Sequence, residues 1–168
     1  MPDSPDVLAE IHRILEASLG GPPATGEVAA RDFHRFAFAV DDLNALYFDE
    51  AYAKANGLPG IIAPPLFALA ATHEDVPLHR LQVDGIARSE SQAAIYKHFK
   101  RVVAGGTEYE FFQPLRPGDR LTAERGVGQI FQKEGRSGTL TFVESISTWK
   151  NQRGEKVAVQ RFTSIYRE

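Results

Sequence analysis

The stretch Asp41-Asp42-Leu43-Asn44-Ala45-Leu46-Tyr47-Phe48-Asp49 gathers carboxylates, an amide and a phenol close together. A carboxylate can hold or take a proton near neutral pH. A phenol, with an ordinary pKa near 10, cannot act as a base there without a large shift. The stretch lies between two helical patterns, on the kind of loop where a scaffold holds a site. The same residues also admit a purely structural role. Asp42 and Asn44 would cap the helix that follows, and Tyr47 would pack in the core.

Other chemistries are poorly served. There is no cysteine, which removes thiolate nucleophiles, disulfides and cysteine metal sites. Of the histidines, His12 and His34 fall on helical surfaces, and His73 and His79 fall in a polar stretch. None has the helical spacing with an intervening Glu that a zinc protease needs, so no metal is expected. No G-x-S-x-G elbow is present. Gly135-Arg136-Ser137-Gly138 reads as a hairpin turn, and Gly105-Gly106, ahead of Thr107, as backbone relief before a strand.

The elements that must position these residues follow from periodicity and turn chemistry. Val7, Ile11, Ile14 and Leu15 recur at helical spacing after Ser4-Pro5-Asp6, and Gly20-Gly21-Pro22-Pro23 stops the run. A second helix covers Arg31 to Val40, with Phe33, Phe36, Ala37 and Val40 on one face. A short helix from Asp49 to Asn56 ends at Gly57. The uncharged run from Gly60 to Ala71, led by Pro64-Pro65, reads as a buried helix entered through a tight turn. Thr72 to Gln92 is polar and reads as a long loop. The second half is rich in Val, Ile, Thr, Phe and Tyr over 107–113, 121–132, 139–150 and 156–167. Turn signals separate these segments, which predicts four consecutive strands in an antiparallel meander.

Helices followed by strands predict an α+β domain, with helices on one face of the sheet. One buried helix against a curved antiparallel sheet is a hotdog. The expected boundaries are an accessory helix and linker over 1–25 and the hotdog over 26–168. At 168 residues, with 43% hydrophobic and 24% charged residues, the chain can bury a sizeable core. A net charge of -3 without a basic stripe argues against nucleic acid. No apolar run suits a membrane span, and the acidic N-terminus is unlike a signal peptide, so a cytoplasmic location is expected.

Several separated motifs occur in an order that resembles the MaoC-like dehydratases, or (R)-specific enoyl-CoA hydratases. They are the run from Ala37 to Leu69, the stretch Glu110-Phe111-Phe112-Gln113-Pro114-Leu115-Arg116-Pro117-Gly118-Asp119, and the turns at 135–138 and 151–155. The resemblance covers 26–168 and is closest to the N-terminal-type dehydratase domains that form half of a double hotdog. It implies a coenzyme A thioester as substrate and no cofactor. In active members an Asp-x-Asn-Pro-x-His motif holds and activates water, and a backbone N–H at the start of the central helix binds the thioester oxygen.

Carried over residue by residue, Asp42 and Asn44 match the motif, Ala45 replaces its Pro, and Tyr47 stands where the His belongs. In Ile62-Ala63-Pro64-Pro65, Pro65 matches the Gly that supplies the N–H, and proline has none. The resemblance therefore implies a non-catalytic subunit that shapes an acyl tunnel, in a heterodimer with a catalytic MaoC-like partner. Phe67, Leu69 and Ala70 on the central helix, with Ile95, Tyr96, His98 and Phe99, are the candidate lining; each is also explained as core. Lys97, Lys100 and Arg101 are either a solvated cluster or contacts for coenzyme A phosphates. Two alternatives remain: a homodimeric lyase using Asp42 with Tyr47 or His98, and a non-enzymatic acyl-CoA binding module.

Overall fold

A computed structural model describes residues 5–19, 21–83, 85, 87, 94, 95, 97, 99, 101–135 and 138–167. Helix α1 spans Pro5–Leu19, strand β1 Ala24–Glu27, helix α2 Ala30–Ala39, helix α3 Glu50–Ala55 and helix α4 Phe67–Ala71. Four long strands follow: β2 Arg101–Phe111, β3 Arg120–Gly135, β4 Gly138–Lys150 and β5 Lys156–Arg167. With β1 they form one five-stranded antiparallel sheet in the order β1-β3-β4-β5-β2, with the helices against one face, so the α+β hotdog architecture holds.

Two hairpins follow from local turn chemistry. Gly138, at φ 112, lies beyond the reach of ordinary side chains and begins β4. Between β4 and β5 the Asn151 carboxamide oxygen accepts from the N–H groups of Arg153 and Glu155, and Gly154 takes φ 77.

The predicted meander needs a correction. Only β3, β4 and β5 follow one another; β2 lies beyond β5, at the edge opposite β1. The connector 112–119 carries Pro114 and Pro117, which suit an extended run across the sheet end rather than a tight reversal. Strand β2 also begins at Arg101, so Gly105-Gly106 lies inside it. The register shifts between Ala104 and Gly106, and a side chain on Gly105 would press on Ile165. Strand β1 had no sequence signal. It starts at Ala24, so the boundary expected at residue 26 falls within it.

The inner face of the sheet carries two apolar clusters. One joins Phe33, Ala37, Tyr47, Phe67 and Ala68 to Leu121, Ala123, Trp149 and Ala158. The other joins Ile11 of α1 to Ile95, Phe99, Val143 and Tyr166. Helix α1 thus shares a core with the sheet. Helix α4 is shorter than the buried helix expected over 60–71. Phe67 and Ala68 point inward, whereas Ala70 is exposed and Leu69 keeps 39% of its surface. The prolines explain the late start, because neither can donate to a helical turn. The segment 61–64 is non-helical and is tied down instead by Ile62 N–H to Leu46 O at 3.1 Å and Ala63 N–H to Leu115 O at 2.9 Å.

Candidate functional site

Helix α2 ends in a left-handed residue that aims the motif segment. Asp41 adopts φ 55, a conformation that Asp tolerates better than most residues. Its N–H donates to Phe38 O at 3.3 Å, and the Asp42 N–H donates to Ala37 O at 2.9 Å. This closes the helix as a Schellman turn with Asp in the usual glycine position. Val40, expected on the apolar face, lies past the helix end and is exposed. Asp42 is left half-buried at the mouth of the segment.

Asn44 then caps a single 3-10 turn over Ala45–Tyr47, its side-chain oxygen accepting from Leu46 N–H at 3.0 Å. The capping alternative is therefore met by Asn44. Asp49 caps α3 by accepting from Tyr52 N–H at 2.9 Å. The turn carries Tyr47 into the core, where it is 5% exposed. Its hydroxyl returns to Asp42 and donates to Oδ2 at 3.2 Å. Burial, then the Asp42 carboxylate, push the Tyr47 phenol above its ordinary value, with Asn44 acting in the opposite direction. The pair is a protonated donor resting on a carboxylate.

His34 has a part that its surface assignment hid. It is half-buried, its Nε2–H donates to Tyr47 O at 2.8 Å, and its ring stacks on Phe48 at 4.8 Å. A helical His one position from an apolar face carries no sequence signal for this, because its acceptor is a backbone group in another element.

Pro65 opens onto an apolar groove of 300 Å³, lined by Ile62, Ala63, Phe111, Phe112, Leu115 and Val157 among others. Phe111 and Phe112 remain 48% and 45% exposed at its rim. Lys156 Nζ lies 5.8 Å from the centre of the Phe112 ring, which places a cation at the same rim. Both Pro64 and Pro65 lack an N–H, so the first free donor in this turn is that of Leu66.

The expected lining residues do not form one surface. Phe67 packs edge-on against Phe33 and Phe36 in the first cluster, whereas Ile95 and Phe99 belong to the second. Leu69 and Ala70 face outward because α4 is a single amphipathic turn. Tyr96, His98 and Lys100 lie outside the described residues. No helix among the described residues is long and apolar enough to cross a membrane.

Comparison with known proteins bears on this geometry. The family model described as FAS1-like, dehydratase domain region matches residues 21–160. The chain belongs to that dehydratase-region family. A UPF0336 protein of Streptomyces coelicolor is 34% identical over 125 residues, covering 72% of this chain and 77% of the relative. A probable enoyl-CoA hydratase alpha subunit of Thermomonospora curvata is 31% identical over 127 residues, 74% of this chain. The chain spans only 40% of that relative's length. Among solved structures, the ChsH1-ChsH2 complex of Mycobacterium tuberculosis aligns over 97% of this chain and 90% of the matched chain, with a TM-score of 0.73 at 24% identity. The resemblance to MaoC-like dehydratases and the hotdog fold are both borne out. In this dehydratase-family hotdog the segment from Asp42 to Tyr47 ends in a buried phenol hydrogen-bonded back to Asp42.

Proposed function

We propose that this hotdog is the non-catalytic, acyl-shaping subunit of an (R)-specific enoyl-CoA hydratase or 3-hydroxyacyl-CoA dehydratase, paired with a MaoC-like subunit that carries the complete motif. The observation that carries the reading is the Tyr47–Asp42 hydrogen bond. Adding water across a double bond calls for a base near neutral pH and a donor for the thioester oxygen. Tyr47 is held protonated, and its proton occupies the carboxylate that should orient water. At the oxygen-binding turn, Pro64 and Pro65 offer no N–H. The two losses are chemically independent.

What remains is a scaffold suited to bulk. The apolar groove beside Pro65, walled by Phe111, Phe112, Leu115 and Val157, supports room for an acyl group. The outer edge of β2 carries no strand among the described residues, and such an edge invites a second hotdog. Likeness to a two-component complex and to a protein named as an alpha subunit supports pairing.

The test is hydration of crotonyl-CoA and longer enoyl-CoAs by the purified chain, alone and with a MaoC-like subunit encoded beside it. The chain alone is expected to be inactive and the pair active. Substantial turnover by the chain alone overturns the reading. Thioester binding without turnover in every combination would make it a binding module.

A further inference from the structure

Strand register lays a polar row across the inner face, directly beside an apolar one. Ala123, Trp149, Ala158 and Phe111 align across β3, β4, β5 and β2. The next row on the same face is Arg125, Ser147, Gln160 and Tyr109. Further along, Ile130 and Val143 begin the second apolar cluster. Polar groups set between two cores cost free energy unless they find partners.

Within that row, Gln160 Nε2 donates to the Tyr109 hydroxyl oxygen at 2.7 Å. The bond fixes the oxygen and uses one of its lone pairs. The phenol's own hydrogen has no acceptor among the described residues. The Tyr109 ring stacks on Phe111, with centroids 5.6 Å apart and planes 2° from parallel. Phe111 in turn lines the apolar groove at Pro65. The half-buried Tyr109 therefore backs one wall of a hydrocarbon-lined groove, through its stacking on Phe111. Burial raises the Tyr109 phenol above its ordinary value, against the opposing bond from Gln160, so the hydrogen stays in place at neutral pH.

We infer that Tyr109, oriented by Gln160, determines specificity for acyl ligands that carry a keto or hydroxyl oxygen away from the thioester. The inference rests on the acyl-shaping reading above. Hydrocarbon fits the groove walls, and an acceptor oxygen beyond them satisfies the phenol. A plain alkyl chain would leave that donor against apolar atoms, the mismatch that sites built around a polar group reject.

Calorimetric titration of the full chain with pentanoyl-CoA and levulinoyl-CoA, which differ by one keto oxygen, tests this. The expected result is about tenfold tighter binding of levulinoyl-CoA, the worth of one hydrogen bond. Tyr109→Phe keeps the stacked ring and should abolish the preference, weakening levulinoyl-CoA binding and relieving the mismatch with pentanoyl-CoA. Gln160→Leu, which keeps the phenol but frees it, should reduce the preference. Equal binding of the two thioesters by the native chain overturns the inference and spares the acyl-shaping reading, as does a preference that survives Tyr109→Phe. Absence of binding by either thioester overturns both.

Discussion

The Trp149 indole N–H donates to the Thr72 hydroxyl at 2.8 Å, across 77 residues of chain and inside the first cluster. Thr72 passes the connection on, its hydroxyl donating to Ala68 O at 2.9 Å. The sheet and the end of α4 are thereby joined by a buried polar link, and α4 in turn sets the position of the Pro64-Pro65 turn. Thr72→Val keeps the shape and strands the indole N–H. The expected cost is about 1–3 kcal/mol of unfolding free energy, the penalty for a buried unpaired donor. Urea denaturation reads it directly, and a cost near zero would mean that the link is replaceable.

Repair of the motif should require two changes. Tyr47→His supplies a base beside Asp42 but leaves no N–H at position 65. Missing one such donor is worth roughly 100- to 1,000-fold in rate. The isolated Tyr47→His chain should stay inactive towards crotonyl-CoA, and only Tyr47→His with Pro65→Gly should gain measurable turnover. Efficient hydration by the single variant would show that Pro65 does not occupy the oxygen-binding turn.

Stability should depend on alkaline pH through the buried phenols. Tyr47 and Tyr109 are both raised in the folded chain. A raised pKa means that their contribution is complete below the unfolded value, roughly pH 10, and is lost as pH climbs through the folded value. Urea midpoints should therefore fall in that alkaline window. In Tyr47→Phe the fall should be shallower; an identical slope would remove Tyr47 as its source.

Helix α1 should be integral to the fold. Ile11 is fully buried among Ile95, Phe99, Val143 and Tyr166. Ile11→Ala is expected to cost about 2–5 kcal/mol, the range for emptying a core position. A loss under about 1 kcal/mol in chemical denaturation would return α1 to the status of a loosely attached layer.

Legibility in the sequence followed the range of the interaction. The β3–β4 closure, where Gly135 pairs with Gly138, and the turn at 151–154 are written in adjacent residues, as is the Gly57 end of α3. The partner of β2 is not, because its register with β5 joins residues more distant than any turn signal reaches. Strand β1, Ala24–Glu27, has no β-branched apolar residue and is held by its edge pairing to β3 and by close approach to α4. A side chain on Gly26 would strike the carbonyl of Ala71. At the site, the Asp42-to-Tyr47 interval was visible as spacing, but His34 and the Tyr109–Gln160 pair depend on contacts between elements. Leu69 misled because a run of apolar residues does not reveal that its helix lasts one turn.

The position of β5 between β4 and β2 sets an order on the chain's synthesis. Strand β2 leaves the ribosome before β5, its neighbour in the sheet among the described residues, exists, and it waits while 112–155 are made. During that interval β3 and β4 can already close their hairpin, which is local and fast, whereas both edges of β2 lack a strand. The last long strand therefore acts as the keystone of the sheet. An interruption of translation within 156–167 would release a chain whose β2, with Val103 and Phe111 exposed, lacks its partner β5.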